Sequence, residues 1–168
     1  LLTPHQPPME LILHRGGLAP FANGMGVSTL FGSSDGTTVL TGGKDGTIAV
    51  WSLVQQAENS SYQQSKILQG HAREVTALLS VVTKTPTTAE TTVLWSSSID
   101  NAIRLWDVAA GTCLCVLSSD TKDAQGRFVG HTNAVTALRL WESGDFGNYI
   151  LSAGLDGCIK AWSTEAVL

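Results

Sequence analysis

Apolar positions fall in short runs rich in Val, Ile, Leu and Thr, broken at close intervals by Gly, Asn, Asp and Ser. That is the pattern of β-strands joined by tight turns, and helix is expected to be essentially absent. Strands are expected at 26–31, 37–42, 47–53, 65–69, 75–81, 92–97, 102–107, 113–117, 135–141, 149–153 and 158–163. Runs such as Ile103 to Trp106 and Ala134 to Leu138 lack clean polar alternation, as expected of strands buried on both faces. One segment occurs three times in register: Val39 to Trp51, Val93 to Trp106 and Ile150 to Trp162. Each copy sets a hydroxyl (Thr41, Ser96, Ser152) four residues before an Asp (Asp45, Asp100, Asp156) and a Trp (Trp51, Trp106, Trp162) six residues after it. Asp45-Gly46, Asp100-Asn101 and Asp156-Gly157 supply the positive φ that a tight hairpin requires.

Ahead of the second and third copies stand Gly70-His71 and Gly130-His131, each followed four residues after the His by a Val-Thr-Ala-Leu run. The order Gly-His, strand, Ser-x-x-x-Asp hairpin, strand ending in Trp resembles the WD40 repeat over about residues 24–163. The literal Trp-Asp pair stands at Trp106-Asp107, whereas Trp51-Ser52 and Trp162-Ser163 depart from it. The resemblance implies an all-β fold: four-stranded antiparallel blades of a β-propeller, part of a larger ring that usually has seven. It divides the chain into blade one at about 24–69, blade two at about 70–127 and blade three at about 128–168, with 10–14 as the outer strand of a preceding or closing blade. Three blades cannot close a ring, and the chain opens on Leu1-Leu2 without an initiator Met, so a piece of a longer propeller is expected. The Asp-to-Asp spacings of 55 and 56 residues exceed the ~40–45 of a minimal repeat and imply insertions. Those at 54–65 and 83–92 are expected at one end of the blades, and that at 118–127 at the other.

The resemblance also implies a buried hydrogen-bond chain in each blade: His71, Ser96, Asp100 and Trp106 in blade two; His131, Ser152, Asp156 and Trp162 in blade three. Blade one offers Thr41, Asp45 and Trp51 but no preceding Gly-His, with Asn23 the nearest polar stand-in, so it is expected to be the least firmly pinned. Ser96, His71 and Asp100 are the ingredients of a hydrolase triad. Their recurrence in the next blade, with an indole where a substrate carbonyl would sit, argues for structure; no catalytic residue is assigned and no enzyme is expected.

The net charge of −4 and pI near 5.4 give no footprint for general phosphate-backbone binding. No apolar run is long enough to span a bilayer as a helix, so no membrane partner is expected. Three cysteines suit a reducing compartment, and the expected location is intracellular, cytoplasmic or nuclear, with an organelle left open because the chain opens without an initiator Met. The triplet at Asn59 is read as a chance sequon. Cys113, Cys115 and Cys158 do not make a zinc set and are read as small thiols filling strands. Gly42-Gly43-Lys44 lacks the rest of a phosphate loop and is read as a turn. Trp95 and Trp141 are read as packing between blades. No metal, cofactor or small-molecule substrate is expected.

Partners are expected on the end of the blades that carries the loops before the His residues and the Asp hairpins. Lys44, Arg73, Glu74, Ile99, Thr132, Asn133 and Leu155 belong to it, with Ile99 and Leu155 as an exposed apolar patch. The expected function is a non-catalytic scaffold holding other protein subunits in an assembly. The alternatives are an RNA-associated protein, from a faint similarity of blade three to WD40 proteins with CCCH fingers, and a substrate receptor of a ubiquitin ligase. Against the last, Ala109 stands where such receptors often carry a basic residue two positions after Trp-Asp.

Overall fold

The computed structural model describes residues 26–55, 60–84, 90–143 and 147–164. The readings made for 10–14, Asn23 and Asn59 lie outside them. Eleven strands and no helix are present among the described residues, in three antiparallel meanders. The first holds β1 (Val27–Gly32), β2 (Thr38–Gly43), β3 (Ile48–Gln55) and β4 (Ser60–Leu68). The second holds β5 (Val75–Lys84), β6 (Glu90–Ser98), β7 (Ile103–Asp107) and β8 (Thr112–Leu117). The third holds β9 (Val135–Ser143), β10 (Gly147–Gly154) and β11 (Ile159–Ser163). These three meanders correspond to blades one, two and three as expected from the sequence.

The described residues of the insertions at 54–65 and 83–92 are strand. β3 and β4 stay paired out to Gln55 and Ser60, and β5 and β6 out to Lys84 and Glu90, so the extra residues lengthen hairpins. Continued pairing satisfies backbone groups that a free loop would leave to water. The insertion at 118–127 is folded on itself. Thr121 accepts the N–H of Ser118 at 2.7 Å, Asp123 accepts the N–H of Arg127 and pairs with its guanidinium, and Lys122 sits 4.6 Å over the Phe128 ring.

The core lies between blades. β5 rests against β1 and β2, and β9 against β5 and β6. Leu40, Ile48, Val50 and Leu68 of blade one meet Val75, Leu78, Leu94 and Trp106 of blade two. One repeat later, Trp95, Ile103, Leu105 and Leu117 of blade two meet Val135, Leu138, Ile150 and Trp162 of blade three. Within one strand, Ile103 and Leu105 point to the following blade while Trp106 points to the preceding one, which is why strict alternation is missing from the sequence.

The next such surface, on the far side of blade three, is uncovered by the described residues. Ile159 is 77% exposed although its counterparts Ile48 and Ile103 are fully buried. Trp141, expected as interior packing, belongs to this face. Its counterpart Val81 is buried, but Trp141 is 48% exposed and leans on Tyr149, with ring centroids 5.9 Å apart. Trp95 is buried, its indole N–H without a partner among the described residues. The cysteines correct the reading of buried filler: Cys113 and Cys158 are exposed and Cys115 half-buried. On β8, the outer edge strand, Cys115 packs against the inter-blade core, while Cys158 stands in the turn just before β11.

Candidate functional site

In each antiparallel meander successive turns alternate ends, so the β2–β3, β6–β7 and β10–β11 hairpins share an end with the β4–β5 and β8–β9 connections. At this end the repeat residues assemble. In blade two, Asp100 Oδ2 accepts from His71 Nδ1 at 2.9 Å, His71 Nε2 meets Ser96 Oγ at 2.8 Å, and Ser96 Oγ accepts from Trp106 Nε1 at 2.8 Å. Blade three repeats this with Asp156, His131, Ser152 and Trp162 at 2.9, 2.8 and 2.8 Å. A neutral imidazole satisfies every member: Nδ1–H donates to the carboxylate, bare Nε2 accepts the hydroxyl proton, and the hydroxyl oxygen takes the indole N–H. Burial alone raises the Asp100 carboxyl, but the hydrogen bonds from His71 and from the N–H groups of Ala72 and Ala102 outweigh it and hold the acid at about 2. In Asp156 burial is likewise opposed, by the N–H groups of Thr132 and Cys158 and by His131, with the same result of about 2.

Blade one brings together less. Trp51 Nε1 donates to Thr41 Oγ1 at 3.0 Å, and Asp45 accepts from Thr47 N and Thr47 Oγ1 within its own hairpin.

The triad order Ser–His–Asp is thus present twice, yet it is sealed. Ser96 and Ser152 are at most 1% exposed, and each hydroxyl oxygen is already covered by an indole N–H. An attacking hydroxyl needs a free approach and an oxyanion pocket facing it, and this one has a tryptophan ring across its path.

Two sets of braces escaped the sequence reading. Asp100 and Asp156 also accept the backbone N–H after each His, from Ala72 at 2.9 Å and Thr132 at 3.1 Å; backbone donors carry no residue signature. Ser28 Oγ donates to Val75 O in the next blade at 2.6 Å, and Thr76 Oγ1 to Val135 O at 2.5 Å. This second brace had a signal, a hydroxyl directly after the first Val of each inner strand.

The residues expected to receive partners lie around the same end. The residue before each turn Asp is tied by its backbone to the one before the inner strand: Lys44 N to Gly26 O, Ile99 N to Glu74 O and Leu155 N to Ala134 O, at 3.2, 3.0 and 2.8 Å. Lys44, Arg73, Thr132, Asn133 and Leu155 are exposed, Leu155 by 66%. Glu74 and Ile99 are half-buried, so the expected apolar patch reduces to Leu155. A turn residue whose main chain is fixed to the neighbouring connection has less room to stand clear of it. No cluster of three or more His, Cys, Asp or Glu that could hold a metal occurs among the described residues.

Comparison with known proteins agrees with this architecture. Residues 21–52 and 122–163 match the model of the WD domain, G-beta repeat. Over 94 residues, 56% of the chain, the sequence is 34% identical to Periodic tryptophan protein 2 of Arabidopsis thaliana, of whose length the match spans 8%.

Proposed function

Because this chain is built of WD40 repeats, we propose that it works as a non-catalytic scaffold subunit, holding other proteins on the end of the blades where the Asp hairpins gather. WD40 repeats support a protein-interaction role in general; the assignment of a face is ours. The observation that carries it is the duplicated polar chain. The His, Ser, Asp and Trp of both repeat sets are consumed inside blades two and three, while Lys44, Arg73, Thr132, Asn133 and Leu155 stand exposed on a backbone already fixed by hydrogen bonds. A surface whose backbone is set before binding loses little ordering entropy when a partner docks.

The experiment is site-specific photo-cross-linking in cells, with the reactive residue at Arg73 or Leu155 and, as reference, at Cys113 on the outer edge. Discrete protein adducts from the first two positions and none from the third are expected; equal adducts from all three would sink the choice of face. A fluorophosphonate probe should leave Ser96 and Ser152 unlabelled in the folded chain, and labelling of either would overturn the non-catalytic reading.

A further inference from the structure

At the opposite end of the blades, a cavity of about 490 Å3 opens between the β1–β2 turn of blade one and the β7–β8 turn of blade two. Its floor is the inter-blade core itself, through Phe31, Leu40 and Val108. Two carboxylates, Asp35 and Asp107, and several hydroxyls line the walls, and no Lys, Arg or His does among the described residues. Both acids are held in place by their own turns. Asp35 accepts from Ser33 Oγ, Thr37 N and Thr37 Oγ1, and Asp107 Oδ1 accepts from Ala110 N at 2.8 Å. Asp107 Oδ2 has no hydrogen-bond partner among the described residues. The hydrogen bonds from Ser33 and Thr37 hold the Asp35 carboxyl at about 2, so it stays charged throughout the physiological range. Lys66 does not line the cavity; its ammonium donates to the carbonyls of Val108 and Ala109.

An apolar floor with fixed negative charge on its walls is complementary to a long side chain that has a hydrocarbon stem and a cationic head. Arginine fits better than lysine: its planar guanidinium lies flat on an aromatic ring such as Phe31 and offers several N–H donors at once to carboxylate and hydroxyl oxygens. We propose that this inter-blade cavity takes an arginine side chain presented by a partner protein. It is a second docking point, on the face away from the one proposed above, and it stands or falls separately.

The test is a titration of the 15N-labelled 168-residue chain, followed by NMR, with N-acetyl-Gly-Arg-Gly-amide and with the same peptide carrying citrulline or lysine in place of arginine. The arginine peptide should shift amides of residues 33–38 and 107–110, saturating with a Kd of roughly 1–10 mM, the range of one ion pair with partial burial. Asp35→Asn and Asp107→Asn each keep the side-chain carbonyl that accepts the turn N–H, and their spectra report directly that the chain is folded. Each should weaken binding at least about fivefold, and raising salt from about 50 to about 300 mM should weaken it further. Citrulline binding as well as arginine would overturn the proposal, as would lysine binding equally tightly or wild-type affinity in both Asn variants. Shifts in these residues that appear on concentrating the chain without peptide would assign the cavity to a second copy and overturn it as well.

Discussion

Asp100 in blade two and Asp45 in blade one occupy the same place in their hairpins, one residue before a positive-φ turn residue, but they bond to different things. Asp100 uses one oxygen for Ala102 N in its own turn and the other for His71 Nδ1 and Ala72 N in the connection that leads into the blade. Among the described residues Asp45 bonds only within its own hairpin, through Thr47. Blade one is nevertheless held, from outside. A Cβ placed on Gly46 would come within 2.4 Å of His71 O and 2.9 Å of Arg73 O, so the blade-one turn is wedged beneath the connection entering blade two. A repeat can lack its own histidine when its neighbour's histidine loop lies on its turn. The expectation that the first blade is least firmly pinned considered one repeat by itself, and the contact at Gly46 adds a restraint between two.

The largest effect that would sharpen this contrast is expected from Ser96→Ala. The serine is the middle of a buried chain, and its loss leaves His71 Nε2 and the Trp106 indole without their shared partner. Leaving two buried polar groups unpaired costs about 2–4 kcal/mol, read as a fall in urea midpoint. Thr41→Ala in blade one removes one acceptor of Trp51 and should cost about 1 kcal/mol. Equal losses would mean that the histidine adds nothing to the chain. Next comes Gly46→Asn. Asparagine tolerates positive φ, and Asn101 does so in blade two at φ 70°, so backbone conformation does not forbid the change. The collision with His71 O does, and about 2–3 kcal/mol should be lost, judged as an overpacking cost. A melting temperature within a degree of the parent would show that the blade-one turn is free of its neighbour.

Most of the fold was legible because each strand's length, turn residues and hydroxyl–carboxylate–indole spacing repeat, and local chemistry specifies hairpins directly. The strands from Val27 to Ser163 fall within a residue or two of expectation except where insertions lengthen hairpins, since a polar hairpin extension and a polar loop have similar composition. What the sequence hid depends on neighbours. Ile103 and Ile159 stand in equal local sequence, yet one is fully buried and the other 77% exposed, because among the described residues only the first has a blade against it. The cavity above the blade-one and blade-two core was hidden for the same reason. Asp35 and Asp107 lie 72 residues apart in sequence, and neither belongs to the duplicated His–Ser–Asp–Trp set.

Acid tests the comparison at a smaller scale. The folded Asp100 carboxyl titrates near 2 against an ordinary 3.8, so between those values the unfolded chain binds more protons and stability rises with pH. The contribution is fully present above about pH 4 to 5 and disappears as pH falls toward 2. With solvent screening of a partly exposed group, it should be on the order of 1 kcal/mol. The stability gap between the parent chain and Asp100→Asn should therefore narrow by about that amount between pH 5 and pH 2.5, measured by denaturant unfolding at each pH. A gap constant across this range would show that the His71–Asp100 contact carries no charge-dependent stabilisation.

The smallest effects belong to the two remaining turns, and their size is the point. Gly157 occupies the place of Gly46 in blade three, with φ 77° against 85°, but a Cβ there meets nothing within 4 Å. Gly157→Asn should therefore change stability by less than about 0.5 kcal/mol, and Asn101→Gly in blade two by a similar amount, because both residues reach positive φ at little cost. Equal backbone conformation at three turns, with a large penalty at one alone, would isolate the weight of the neighbouring loop on blade one. If Gly157→Asn were as damaging as Gly46→Asn, turn geometry rather than the overlying His71 connection would be what those glycines serve.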